Sequence, residues 1–236
     1  MLSGQDLRDS RAVRPRISSH RPERRTARMS TASLEVENLH LWRGERHVLR
    51  GVGFALTAGQ CLKVTGVNGA GKTSLLRTLA GLMYPEEGQV RWCGTDVRRD
   101  LRSFQGALAY LGHEPPLKAD LSARENLHYW IRNRRRVTAA LLAQALLRVG
   151  AEPFADRLVR TLSAGQRRRV ALAGLALCIV PLWLLDEPAT NLDAEGQRLF
   201  GGLIAEQLAR GGLAIAAGHH ELPVAGGAVS QLELPP

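Results

Sequence analysis

Lysine is nearly missing from this chain. Of 32 basic residues in 236, only Lys63, Lys72 and Lys118 are lysines and the rest are arginines. Cysteine is equally scarce. Cys61, Cys93 and Cys178 stand alone, with no CxxC pair, no zinc-ligand spacing and no even set for disulfides. That usage reads as a reduced, cytosolic protein. Long apolar runs are lacking too. The longest uncharged stretch, Val170–Leu185, has 16 residues and is interrupted by Pro181, too short to span a bilayer. The N-terminus has no apolar core of the signal-peptide kind.

What is present is positive charge, unevenly placed. The net charge is +10. Residues 1–30 carry eight arginines against Asp6, Asp9 and Glu23, a net of +5, and the remaining residues supply the other +5. Basic chains suggest nucleic acid, an anionic membrane or a phosphate-rich ligand, but half of this excess lies in a segment without hydrophobic period. Residues 1–32 read as a disordered, Arg-rich extension, with Met29 a candidate start. Residues 33–236 read as one domain, and a 44% apolar composition supplies its core.

Within that domain apolar patterning alternates between two periods. Strand-like stretches fall at Leu34–Leu39, Val48–Leu56, Leu62–Thr65, Gln89–Trp92, Ala107–Leu111, Leu182–Leu185 and Leu213–Ala217. Helical spacing marks Lys72–Leu82, two segments within 120–150, Ser163–Cys178 and Leu199–Leu208. The alternation predicts an α/β fold whose central strands run parallel.

Two motifs carry the chemistry. Gly66-Val67-Asn68-Gly69-Ala70-Gly71-Lys72-Thr73, followed by Ser74, fits GxxxxGK[ST] between a predicted strand and a predicted helix. Glycines let backbone N–H groups converge on phosphate oxygens, and the helix N-terminus adds its positive dipole end. Lys72 would reach the β- and γ-phosphates, and Thr73 would offer its hydroxyl to Mg²⁺. About 110 residues on, the apolar strand Leu182–Leu185 ends in Asp186 and Glu187. Asp186 is placed to hold Mg²⁺ through water, and Glu187 to act as general base on the attacking water.

With Leu162-Ser163-Ala164-Gly165-Gln166 added, the chain resembles the ATP-binding subunits of ABC transporters. This segment is similar to their LSGGQ signature, with Ala164 replacing one glycine; Asn191-Leu192-Asp193 is similar to the D-loop and His219 to the switch histidine, with His220 as the competing choice. The resemblance covers about residues 34–222. It implies a P-loop ATPase fold with a mainly parallel core sheet, an antiparallel β subdomain and a helical subdomain near 115–165. It also implies ATP and Mg²⁺ as cofactors and a head-to-tail homodimer. Ser163, Gly165 and Gln166 of one copy would close over ATP on the phosphate loop of the other, and His219 would orient the water and γ-phosphate.

Three positions depart from that pattern. Where the family carries an adenine-stacking aromatic, this chain has Arg43, with Trp42 one residue earlier. Where it carries the Q-loop glutamine, this chain has His113, which would take over part of that contact. Gly174 stands where the signature helix often has arginine. The stretch LGHEPPLKADLSARENLHY (111–129), with GAGKTSLLRTLAGL (69–82) and LSAGQRRRV (162–170), narrows the resemblance to haem-exporter ATP-binding subunits of cytochrome c maturation. That narrower match implies membrane permease subunits as partners, no nucleic acid, and a peripheral place on the cytoplasmic face of the inner membrane. No CxxCH or Cys-Pro pair supports haem binding by the chain itself, and His40 and His47 read as solvated surface residues. The competing functions are an ATP-binding subunit of another small ABC exporter and a soluble ABC ATPase acting on nucleic acid.

Overall fold

In the computed structural model the described residues are 32–134, 136–219, 222 and 228–236. The readings made for the Arg-rich start and for His220 lie outside them. Strands β1 (Ser33–Arg43) and β2 (Arg46–Thr57) form an antiparallel hairpin with Arg43 opposite Arg46. Its two-residue turn places Gly44 at φ 60, a left-handed conformation that glycine adopts without strain. With β4 (Glu87–Trp92) and β5 (Thr95–Asp96) they make a four-stranded sheet in the order β2-β1-β4-β5.

The second sheet holds β3 (Gln60–Thr65), β6 (Leu108–Leu111), β7 (Leu182–Asp186), β8 (Leu213–Ala217) and β9 (Ala228–Glu233). Its order is β6-β7-β8-β3-β9 and every pairing is parallel. The expected parallel core is therefore present, with one strand more than the sequence pattern marks.

Two hydrophobic cores lie on the two faces of this sheet, and side-chain alternation assigns each residue to one of them. In β7, Leu182 and Leu184 face the core shared with the antiparallel sheet and α1 (Lys72–Leu79). Trp183 and Leu185 face the other, which contains residues from α3 (Ala123–Ile131), α4 (Ala139–Arg148), α5 (Ala164–Leu177) and α6 (Ala194–Ala209). The short helix α2 (Leu101–Gly106) precedes β6.

Helix ends follow local chemistry. α1 stops at Leu79, three residues short of the periodic reading. Gly81 at φ 68 turns the chain, and the Leu82 N–H reaches back to the Arg77 carbonyl. α6 begins five residues before the first leucine of its pattern, because the Asp193 carboxylate accepts from Gly196 N–H and caps it. α3 and α5 both open on capping boxes, Ser122 with Glu125 and Ser163 with Gln166.

The structure also accounts for Gly174. A β-carbon there would lie 2.4 Å from two ring carbons of Trp130, so α5 carries glycine where the indole from α3 lies against its backbone. No helix among the described residues is long and apolar enough to cross a membrane.

Candidate nucleotide-binding site

The tips of β3 and β7 set the site. β3 runs into the loop 66–71, where Gly66, Gly69 and Gly71 have φ of 139, 85 and 102. Side chains are strained in this region. At Gly71 a β-carbon would also come within 2.8 Å of Val48, so the loop is pinned against β2 as well as bent. Ala70 is buried beneath it, while Val67 points outward at 58% exposure. Lys72, Thr73 and Ser74 follow as the first turn of α1, whose N-cap is Gly71.

Lys72 is buried, and its ammonium donates to the carbonyl oxygens of Gly66 (2.7 Å) and Val67 (3.1 Å). A buried cation needs such partners. His219, at the end of β8, brings Nε2 to 3.4 Å from Lys72 Nζ, 3.0 Å from Asn68 Oδ1 and 4.0 Å from Glu187 Oε1. One imidazole nitrogen therefore joins the phosphate loop to the acidic strand end.

Asp186 is the last residue of β7 and is buried. Burial raises its carboxyl above the usual range, with a hydrogen bond from Thr73 opposing and the Glu187 charge adding to the rise. Its Oδ2 is one of two buried side-chain polar atoms without a hydrogen-bond partner among the described residues. A desolvated carboxylate oxygen beside a threonine hydroxyl is the donor chemistry that a hard divalent cation requires. Glu187 has φ 49, left-handed for a residue with a side chain, and its Oε2 accepts from Thr190 Oγ1 at 3.3 Å. Strain of this kind gathers at functional positions.

These groups line one open cleft of about 780 Å³, in which Asn68, Gly69, Gly71, Lys72, Thr73 and Ser74 of the loop and α1 meet Asp186, Glu187, His113 and His219. Arg43 lines it as well. Trp42 does not; its indole stacks on His47, with centroids 3.8 Å apart and planes 7° apart. His47 in turn bonds to His40 at 3.0 Å, so neither histidine is merely solvated. Ser163, Gly165 and Gln166 stand outside this cleft at the start of α5, where the serine and glutamine satisfy one another's backbone N–H groups. Gly165 is tightly placed: a β-carbon would come within 2.7 Å of the Asn191 carbonyl.

Sequence reasoning missed Arg46, which lines the cleft and donates to the Gly69 carbonyl at 2.8 Å. Its signal was the hairpin tip, where Arg46 pairs with the already suspected Arg43. Thr190 and Val48 were missed as well.

A glycine-rich loop between a parallel strand and a helix, with a carboxylate pair at the end of β7, one strand removed from β3 across β8, defines a P-loop nucleotide-binding domain. The family model for ABC transporters matches residues 49–190. A cytochrome c biogenesis ATP-binding export protein, CcmA, of Methylococcus capsulatus is 48% identical over 199 residues, covering 84% of this chain and 96% of that protein. The CcmA of Salmonella typhi is 44% identical over 201 residues, covering 85% and 96%. The chain belongs to the ABC transporter family, in its branch of cytochrome c biogenesis ATP-binding export proteins. The fold is shared with a putative ABC transporter ATP-binding protein from Pyrococcus furiosus, at TM-score 0.74 and 24% identity over 86% of this chain and 97% of that one. A bacterial Atm1-family ABC exporter with ATP bound gives TM-score 0.77 at 22% identity, over 87% of this chain and 38% of that one.

Proposed function

We propose that this chain is the ATP-binding and hydrolysing subunit of an export complex for cytochrome c biogenesis, powering haem export or haem release to a periplasmic chaperone. The observation that carries hydrolysis is the convergence, in one cleft, of Lys72, Thr73, the unpartnered Asp186 oxygen, Glu187 and His219. The narrower role rests on relatives 44–48% identical that bear that name.

Each residue then has a defined task. Lys72 exchanges the Gly66 and Val67 carbonyls for phosphate oxygens, so the loop is kept in shape before nucleotide arrives. Thr73 and Asp186 are the residues that would hold Mg²⁺, which when bound supplies positive charge against the β- and γ-phosphate oxygens. Glu187 takes the proton of the attacking water, with Thr190 fixing its carboxylate. His219 orients that water and the γ-phosphate, and His113 faces the same space from the end of β6. Arg43 is the group at the adenine end, since Trp42 would have to leave its stack on His47.

Ser163, Gly165 and Gln166 do not line their own chain's cleft, which suits a head-to-tail homodimer in which they close the partner's. The α5 N-terminus would present N–H donors to the γ-phosphate there. Membrane permease subunits would dock on the helical segment 115–150 and hold the chain peripherally on the cytoplasmic face of the inner membrane. Deleting the gene and recording c-type cytochrome spectra tests the narrow role. Loss of the c-type bands is expected; normal cytochromes would point to another small exporter.

A further inference from the structure

Arg168 is a charged residue that the mechanism above leaves unused. It is 2% exposed, on α5 two residues past the signature segment. Its guanidinium donates to two consecutive backbone carbonyls, Gly112 at 3.3 Å and His113 at 2.7 Å. Desolvation lowers its pKa, while the charges of Asp186 and Glu187 act in the opposite direction.

A fully desolvated guanidinium is costly to keep, and apolar side chains of similar length fill helix interiors without that penalty. Its placement explains why it is there. β6 pairs in parallel with β7, Leu111 beside Leu185, so the residues just beyond both strands lie next to each other. One of these tips carries His113 and the other carries Asp186 and Glu187. The 112–113 carbonyls point to Arg168, and the His113 ring lines the cleft.

The neighbours of Arg168 on α5 are anchored too. Gly165 lies against Asn191, and Arg169 bonds to Asp193 at 2.8 Å and Glu195 at 3.1 Å. The first turns of α5 thus hold both loops that border the acidic strand end.

We propose that Arg168 is a positioning residue for hydrolysis: by holding the Gly112 and His113 carbonyls to α5, it fixes the His113 side chain over the Asp186–Glu187 pair and makes it follow the signature helix. This deepens the hydrolytic reading and rests on it. Arg168 acts only through His113, so the two should be energetically coupled.

The test is a double-mutant cycle on the full chain, read as ATP turnover and ATP affinity. Arg168→Met should keep ATP affinity within about threefold, because the phosphate loop is untouched, and should lower turnover at least tenfold. His113→Ala should lower turnover on its own. Combined with Arg168→Met, it should lower it no further than about twofold. Arg168→Lys, which retains a donor, should restore part of the turnover, and it replaces Arg168→Met in the cycle if that variant does not fold. Unchanged turnover in Arg168→Met, or losses that multiply in the double variant, overturns the proposal. A wild-type chain without ATP turnover sinks the hydrolytic reading and this one together; turnover abolished by Glu187→Gln, alongside multiplying losses, sinks this one alone.

Discussion

At the scale of single residues, the cleft separates binding from chemistry. Lys72 sits on the loop's own carbonyls, and Glu187 lines the same cleft from the end of β7. Lys72→Ala should therefore lose nucleotide binding, measured by titration with a fluorescent ATP analogue. Glu187→Gln should bind ATP normally and lose turnover by two orders of magnitude or more, about the share of a general base. Asp186 adds a stability effect. Its folded pKa is raised by burial, so the stability linked to its protonated form is fully present below the unfolded value of 3.8 and is lost as pH rises through the folded pKa. At neutral pH Asp186→Asn should raise the melting temperature of the nucleotide-free protein while ending Mg²⁺-dependent hydrolysis, and the stabilisation should shrink on acidification. An unchanged or lower melting temperature at neutral pH would contradict that account.

The site was legible where chemistry and spacing coincide, and less so elsewhere. The phosphate loop and the Asp186–Glu187 strand end could be read because their residue types are dictated by phosphate and metal. Arg46 and Arg168 could not, since each was one arginine among 29. Arg168 did leave a trace. It shares the buried helical stripe of Leu172 and Leu175, four and seven residues on, a place where a charge needs a reason.

At the scale of elements, packing decides what periodicity leaves open. β5 is two residues and α2 six, too short for either period to register. β9, AVSQLE, lacks an apolar run, and its place beside β3 is set by the parallel ladder rather than by its own pattern. The α3–α5 contact makes the sharpest prediction at this level. Gly174→Ala would drive a β-carbon into the Trp130 ring and should destabilise the fold by about 1–3 kcal/mol, measured by denaturant unfolding. Trp130→Leu should relieve much of that loss in the double variant. A neutral Gly174→Ala would mean that the indole moves aside freely.

At the scale of the whole molecule, the signature segment and the cleft of one chain do not meet. Glu187→Gln with ATP should convert the monomer into a dimer, followed by light scattering; a monomer at saturating ATP would reject the head-to-tail arrangement. The charge of the chain belongs to this scale as well. Removing residues 1–28 removes about half of the net +10, and should leave ATP turnover and membrane association unchanged. A large loss in either would give the Arg-rich segment a working role.

The scarcity of lysine has a practical consequence at the phosphate loop. Lys63, Lys72 and Lys118 are the chain's only side-chain amines. Lys72 is buried and bonded to two carbonyls, whereas Lys118 is exposed and rests over the Tyr129 ring at 4.0 Å. Amine-directed acylation followed by peptide mass spectrometry should thus mark Lys118 quickly and Lys72 slowly. Lys72 should become slower still as ATP is added, so the occupancy of the site can be read as acylation chemistry at one position, without a labelled nucleotide.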